Sequence, residues 1–378
     1  VAAAVQTNTW PIAGVPNPIS RSVRLRSSAS AYLNRTPSVA GSLTTWTWSG
    51  WVKRGTLSAS LNIPIFSAGT SGTNDTNITF NSDIIDWFNR NSSSINGRLN
   101  TTQVFRDPSA WYHLVFVWDT TNATASNRMR IYVNGSLVTA LSTATYPGSS
   151  QASNVNNNVA TYVGLQTGTS NYFDGYLTEI NFIDGQALTP SSFSTTDSLT
   201  GVWMPMPYTG TYGTNGFYLN FKDNTDTTTI GYDYSGNSNN WTANNISLTA
   251  GTTYDSMLDV PTLWQGYNTG NTNTATRGNY CVINPLYPAP ASITNGNLTF
   301  TNSSGLANQA YGTMVLPSSG TFYFEGKLTA VGGGSSLYIN IGDGNTSYST
   351  NGQIYSGGSL QTTVATYTTG DTISIAFT

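Results

Sequence analysis

The chain has 378 residues, a net charge of −3, only 8% charged residues and 12% aromatics. So many aromatics with so little charge exclude a disordered chain. Lysine is confined to Lys53, Lys222 and Lys327 with no basic stripe, which speaks against nucleic acid, and no apolar run is long enough to span a bilayer as a helix.

Taken in chain order, short apolar or alternating runs recur between Gly, Asn and Asp turns, and no stretch keeps an apolar stripe at helical period. This reads as all-β. The runs begin with Trp46-Thr-Trp-Ser-Gly-Trp-Val52. The clearest strand is Trp111-Tyr-His-Leu-Val-Phe-Val-Trp118, apolar on both faces and therefore expected at the centre of a two-layer core. Arg130 to Val138 follows as a hairpin about Asn134-Gly135, the pair suited to a type I′ turn. Tyr176–Ile183 and Phe217–Phe221 are the next strands, with the apolar, proline-rich Trp203-Met-Pro-Met-Pro-Tyr208 between them. That stretch is expected to seal the sandwich or to pack on a second subunit.

From 249 to 291 the pattern weakens. Pro261, Pro285, Pro288 and Pro290 and the Gly266 to Gly278 tract read as a connector. Strands resume at 296–300, 321–328, 336–341 and 372–377. The last runs into the final residue, which implies a second sandwich that continues beyond it. The expected division is an arm over 1–19, a sandwich over 20–248, a connector over 249–291 and a truncated sandwich over 292–378.

Three segments of the first half carry a resemblance. They are Ala31-Tyr-Leu with Trp48-Ser-Gly-Trp-Val52; Trp111-Tyr-His113 to Asp119 with Ile131-Tyr-Val-Asn-Gly135; and Phe173-Asp-Gly-Tyr-Leu-Thr-Glu179-Ile with Phe182. In this order they resemble laminin-G/concanavalin-A-like sandwiches over roughly residues 20–190. The opening segment usual in that family is missing at the start. Phe217-Tyr-Leu-Asn-Phe221 with Asp233-Tyr-Ser-Gly-Asn to Trp241 is similar to it instead, so residues 215–248 are expected to complete the sheet begun at residue 20. In the tail, Tyr323-Phe-Glu325 and Gly370-Asp371-Thr-Ile-Ser-Ile-Ala376 resemble SPRY-type sandwiches, with Ser374 where that pattern has glycine. The succession resembles virion structural or fibre proteins of tailed phages. The resemblance implies a virion surface or extracellular location, assembly with copies of itself and other virion proteins, and binding of a host surface polysaccharide.

Catalytic residues are scarce. His113 is the only histidine, and the expected role is a core histidine in a strand, not a triad base. Glycoside hydrolysis needs paired carboxylates; Glu179 and Glu325 are the only glutamates and fall in different expected domains. Asp174, Asp184, Asp223 and Asp233 sit in turn contexts. No catalytic site is assigned and no enzyme is expected. Asp75, Asp119, Asp174 and Asp233 offer oxygen ligands for a loop calcium, but no EF-hand spacing is present, so no metal or other cofactor is assigned. Cys281 is the only cysteine, which rules out an intrachain disulfide and, with His113 far away, a zinc site. Sugar binding needs exposed aromatics beside amides. Trp87, in Asp86-Trp-Phe-Asn-Arg90, and Tyr172, beside Asn171 and Asp174, are the candidates, each competing with a place in the core. The alternatives to a virion component are a bacterial surface adhesin or filament subunit and, behind it, a polysaccharide-degrading enzyme.

Overall fold

The computed structural model describes residues 3–5, 19–57, 62–198, 201–262, 278–286, 292–301, 310–314, 321–330, 338–341 and 346–377. Most of the N-terminal arm and the glycine-rich tract from Gly266 to Arg277 lie outside these residues. The described chain is all-β, with only single-turn 3-10 segments beside the strands. Among the described residues no helix is long and apolar enough to cross a membrane.

Two eight-stranded antiparallel sheets form a jelly-roll sandwich. The first runs Ser136–Leu137, Met129–Val133, Trp111–Asp119, Thr45–Arg54, Gly175–Asp184, Ser22–Leu25, Ser256–Met257, and Phe217–Leu219 also pairs with Gly175–Asp184. The second runs Leu141–Thr145, Ser94–Val104, Ile84–Asn91, Asn74–Asn81, Asn62–Ser71, Thr161–Val163, Tyr32–Arg35, Thr242–Asn244. Trp111–Asp119 sits inside its sheet, zipped along its whole length to Thr45–Arg54. The Asn134-Gly135 turn has φ of 48° and 85°, the two positive values a type I′ turn requires.

The core between the sheets is aromatic. Trp46 stacks on Trp118 at 6.3 Å, and Trp87 meets Trp46, Phe116 and Trp118 edge-on. Edge-on and offset stacking satisfy the ring quadrupoles while burying the largest side chains available.

The first sheet is divided at one edge. Ser22–Leu25 pairs with Gly175–Leu177, and Phe217–Leu219 pairs with Ile180–Phe182. Between them a bulge at Glu179, in the left-handed region at φ 51°, shifts the register. The segment similar to a laminin-G opening therefore contributes one strand to each sheet, since Thr242–Asn244 pairs with Tyr32–Arg35.

The same sheet continues past residue 248. Ser256–Met257 pairs with Ser22–Val23, and Asp255 and Asp259 reach into the buried ion pairs described below. The proline and glycine content of 249–291 conceals this, because the contact is made by single acidic residues and a two-residue strand.

The outer face of the first sheet is covered as well. Val115, Val117, Tyr132 and Ile183 pack with Phe193 and Tyr208, and Trp51, Trp111 and Tyr176 pack with Trp203 and Met257. The Trp203 to Tyr208 stretch thus lies on the sandwich itself. Toward the C-terminus, Thr321–Lys327 pairs with Thr372–Phe377 and with Ala3–Val5, and four strands from Tyr338–Ile341 to Ser359–Thr363 form a separate sheet.

Candidate functional site

Among the described residues the first sheet is covered on both faces, and at the Tyr32–Arg35 end of the second sheet several outward side chains are part exposed. Strand alternation decides which ones. On Tyr32–Arg35, Leu33 points to the core while Tyr32 and Asn34 point out. On Thr161–Val163, Val163 is in the core and Tyr162 is out. Antiparallel register places Tyr162 opposite Asn34, Thr242 opposite Asn34 and Asn244 opposite Tyr32.

The loop after Leu165 brings in a third ring. The ring centroid of Tyr32 lies 6.1 Å from Tyr162 and 6.1 Å from Tyr172. All three tyrosines are partly exposed, and none of their hydroxyls bonds to a described residue. The amides beside them are fixed. Asn244 donates to Asn34 at 2.7 Å, Asn245 donates to the Ser30 carbonyl at 3.0 Å, and Asn171 donates to Gln166 at 2.9 Å.

Past Thr242 the strip opens into a recess of about 240 Å³. Thr227, Thr228, Tyr232, Asn240, Trp241, Thr242 and Ala243 line it. Tyr232 is exposed, and the buried Trp241 has an indole N–H with no acceptor among the described residues. None of the residues named in the strip and recess is charged. The arrangement offers flat rings, hydroxyls and oriented amides, which suit a neutral, hydroxyl-rich ligand.

Of the two aromatics proposed from sequence, Tyr172 belongs to this strip. Trp87 does not: it is fully buried, and its ring lies against Trp46, Phe116 and Trp118 with no face left for a sugar. Its strand alternates, so the part-exposed aromatic there is the next residue, Phe88, which lies beneath the guanidinium groups of Arg90 and Arg98. Sequence reasoning passed over Tyr32 and Tyr162 as partners, since they are 130 positions apart and meet only through sheet register.

His113 is fully buried against Trp51. Its Nδ1 accepts from the Trp203 indole at 3.1 Å, and burial holds its pKa down at about 3. The ring is therefore neutral with its proton on Nε2, which donates to Ser49 Oγ at 2.9 Å. A base for Ser49 would need the opposite tautomer, with a carboxylate where Trp203 stands.

Glu179 is buried, accepts from the Tyr218 hydroxyl at 2.6 Å, and is raised by desolvation to about 7. Glu325 accepts from Tyr323 at 2.7 Å on another sheet. The aspartates have local duties. Asp174 accepts from Ser27 and Gly296, Asp184 from Ser42, Asn156 and Asn215, and Asp233 from Tyr218, Ser235 and Asn239. Asp223 accepts from Thr225 and Asp119 from Thr121, while Asp75 is held by Arg90. Among the described residues no group of three or more His, Cys, Asp or Glu is placed to hold a metal ion.

One family model covers part of the sandwich. Residues 27–194 match a laminin G-type family model described as the concanavalin A-like lectin/glucanases superfamily. No curated protein matches the chain significantly. Among solved structures, the chain is similar to a heptameric SAP-like pentraxin from Limulus polyphemus at 18% identity, with 46% of this chain and 79% of that chain covered and a TM-score of 0.33. It is similar to a putative carbohydrate binding protein from Bacteroides ovatus at 14% identity, covering 61% and 59%, with a TM-score of 0.39. A third is domain 4 of an extracellular GH43 arabinanase from Geobacillus stearothermophilus, in complex with arabinotriose, at 16% identity, covering 47% and 76%, with a TM-score of 0.34.

Proposed function

We propose that the chain is a non-catalytic glycan-binding component that takes a neutral polysaccharide on the Tyr32–Tyr162–Tyr172 strip. The observation that carries this is the cluster of three part-exposed tyrosines, bordered by fixed amides, on the outer side of the second sheet. Pyranose faces stack on such rings while their hydroxyls exchange hydrogen bonds with amides. The match of residues 27–194 to a lectin and glucanase superfamily supports the same reading. The neutral tautomer of His113 and the separation of the two glutamates favour binding over hydrolysis.

A glycan array probed with the full chain tests this. Tyr162→Ala is expected to weaken the best binder by roughly tenfold or more, as stacking contributes about 1 kcal/mol beyond area burial. The buried Trp87 is no part of the ligand face, so Phe88→Ala, farther along the sheet, is the better control and should leave that binding within about twofold. An array with no binder, or Tyr162→Ala binding as wild type, would refute the assignment.

The finer setting is a virion appendage of tail-fibre or head-fibre type that assembles as a homo-oligomer at the particle surface. Support comes from the succession of a laminin-G-like unit, a Trp/Asn/Gly-rich stretch and a SPRY-like tail, in a chain with a single cysteine. The proposed units are a first sandwich over 20–248, to which the segment after residue 248 adds the Ser256–Met257 strand, and a second over 292–378. Antibody labelling of purified particles tests it, and particles that never carry the protein would exclude it.

A further inference from the structure

Lys53 stands at the end of the Thr45–Arg54 strand and is completely buried. Its Nζ donates to Asp259 Oδ2 at 2.7 Å, to Asn279 Oδ1 at 2.8 Å and to the Tyr280 carbonyl at 2.8 Å. Asp259 is itself buried, and its other oxygen accepts from the Trp111 indole at 2.9 Å. The Asn279 amide is held from its far side, where Nδ2 donates to the Ser109 carbonyl at 2.7 Å. The Tyr176 ring, with its centroid 5.8 Å from Nζ, packs with Trp111 and Met257 as an apolar wall. A buried amine therefore touches, at the same time, a carboxamide carbonyl and a carboxyl group able to move protons.

We propose that Lys53 and Asn279 become joined by an intramolecular isopeptide bond, with Asp259 as the proton-transfer group. The Lys53 ammonium passes one proton to Asp259 Oδ2 across their hydrogen bond. The freed lone pair on Nζ adds to Asn279 Cγ, and the carbonyl π pair moves onto Oδ1. The oxyanion is stabilised by the proton Asp259 now holds. Asp259 relays protons from the added nitrogen to Nδ2, the Cγ–Nδ2 bond breaks with its electron pair leaving on nitrogen, and the carbonyl re-forms. In sum, an ammonium and a primary carboxamide give a secondary amide and an ammonium ion. Nothing is oxidised or reduced, and Asp259 ends as it began.

The surroundings favour each step. Burial pushes the Asp259 carboxyl up against the pull of Lys53, which makes proton transfer from the amine less costly than in water. The amine already holds the carboxamide by a hydrogen bond to its Oδ1, so little encounter entropy remains to be overcome. The bond would tie the Thr45–Arg54 strand to a segment 226 positions away and make the outer strap of the first sheet permanent.

Intact mass spectrometry of the purified full chain decides the matter. The expected mass is lower than the sequence mass by one ammonia, and a protease digest should yield a branched peptide joining Lys53 to Asn279. Asn279 is exposed, so Asn279→Ala will fold, and it should show the unreduced mass expected for its sequence. Its thermal midpoint should fall below that of the wild type. Asp259→Asn should likewise lack the bond. A wild-type chain of full sequence mass would overturn the proposal. So would loss of water with a Lys53–Asp259 peptide, or loss of ammonia without the Lys53–Asn279 peptide.

Discussion

Glu179 and His113 are both buried, and acid acts on them in opposite directions. The folded pKa of Glu179 is raised from 4.5 to about 7 by desolvation. The stability it contributes is fully present below pH 4.5 and is lost as pH rises through 7. One pKa unit corresponds to 1.36 kcal/mol, so that loss is on the order of 3 kcal/mol. The folded pKa of His113 is lowered from 6.5 to about 3 by burial. Its contribution is present above 6.5 and is lost as pH falls toward 3. Between pH 4.5 and 6.5 the two slopes offset one another. Glu179→Gln keeps the shape and removes one slope, so urea-unfolding stability of this variant should climb with pH across that window relative to wild type. A constant difference between the two proteins from pH 4 to 8 would show that Glu179 does not titrate there. Neither effect was legible in the sequence. The Trp111-Tyr-His113 motif located the histidine on a strand, but Trp203, which sets its tautomer, lies 90 positions away.

At the scale of elements, one carboxylate clamps two strands. Asp255 accepts from Arg24 Nε at 3.1 Å, from Arg26 Nε at 2.8 Å and Nη2 at 3.0 Å, and from the Ser247 backbone at 2.8 Å. Its side chain is fully buried, and those of both arginines are nearly so. Removing it leaves two guanidinium groups without their counter-charge. Asp255→Ala is therefore expected to lose about 3–5 kcal/mol in urea unfolding, the range for breaking a buried pair. Arg106 also pairs with a buried aspartate, Asp83, but is half exposed. Arg106→Ala should cost less than about 1 kcal/mol. Equal losses in the two variants would contradict the role of burial. The sequence revealed strands wherever local chemistry was explicit, as in the Asn134-Gly135 hairpin. The meander over 62–104 escaped notice. Two of its turns are Ser82-Asp83 and Ser92-Ser93, positive-φ positions occupied by residues that do not advertise them. Asn74–Asn81 carries only Ile78 and Phe80 as large apolar side chains among hydroxyls and amides.

For the molecule as a whole, the two sheets have unequal surroundings. The first is covered on its outer side by Leu188, Phe193, Trp203 and Tyr208 and by the segments carrying Asp255, Asp259 and Gly296, and the second shows its tyrosines to solvent. The sequence reading ended the sandwich at 248 because proline, glycine and asparagine dominate beyond that point. Composition could not show that Asp255 and Asp259 neutralise Arg24, Arg26 and Lys53 on the sheet behind them. This asymmetry makes the fate of a truncated chain predictable. A fragment over 19–248 loses the counter-charges of all three cations and uncovers Trp111 and Tyr176, while a fragment over 19–301 keeps the acidic residues, Asn279 and the Gly296 contact. The shorter fragment should unfold at a lower temperature by calorimetry and should bind a hydrophobic dye that the longer one does not, since exposed apolar patches recruit such probes. Identical melting of the two fragments would mean that the strap merely rests on the sheet, and that the sandwich is complete at residue 248.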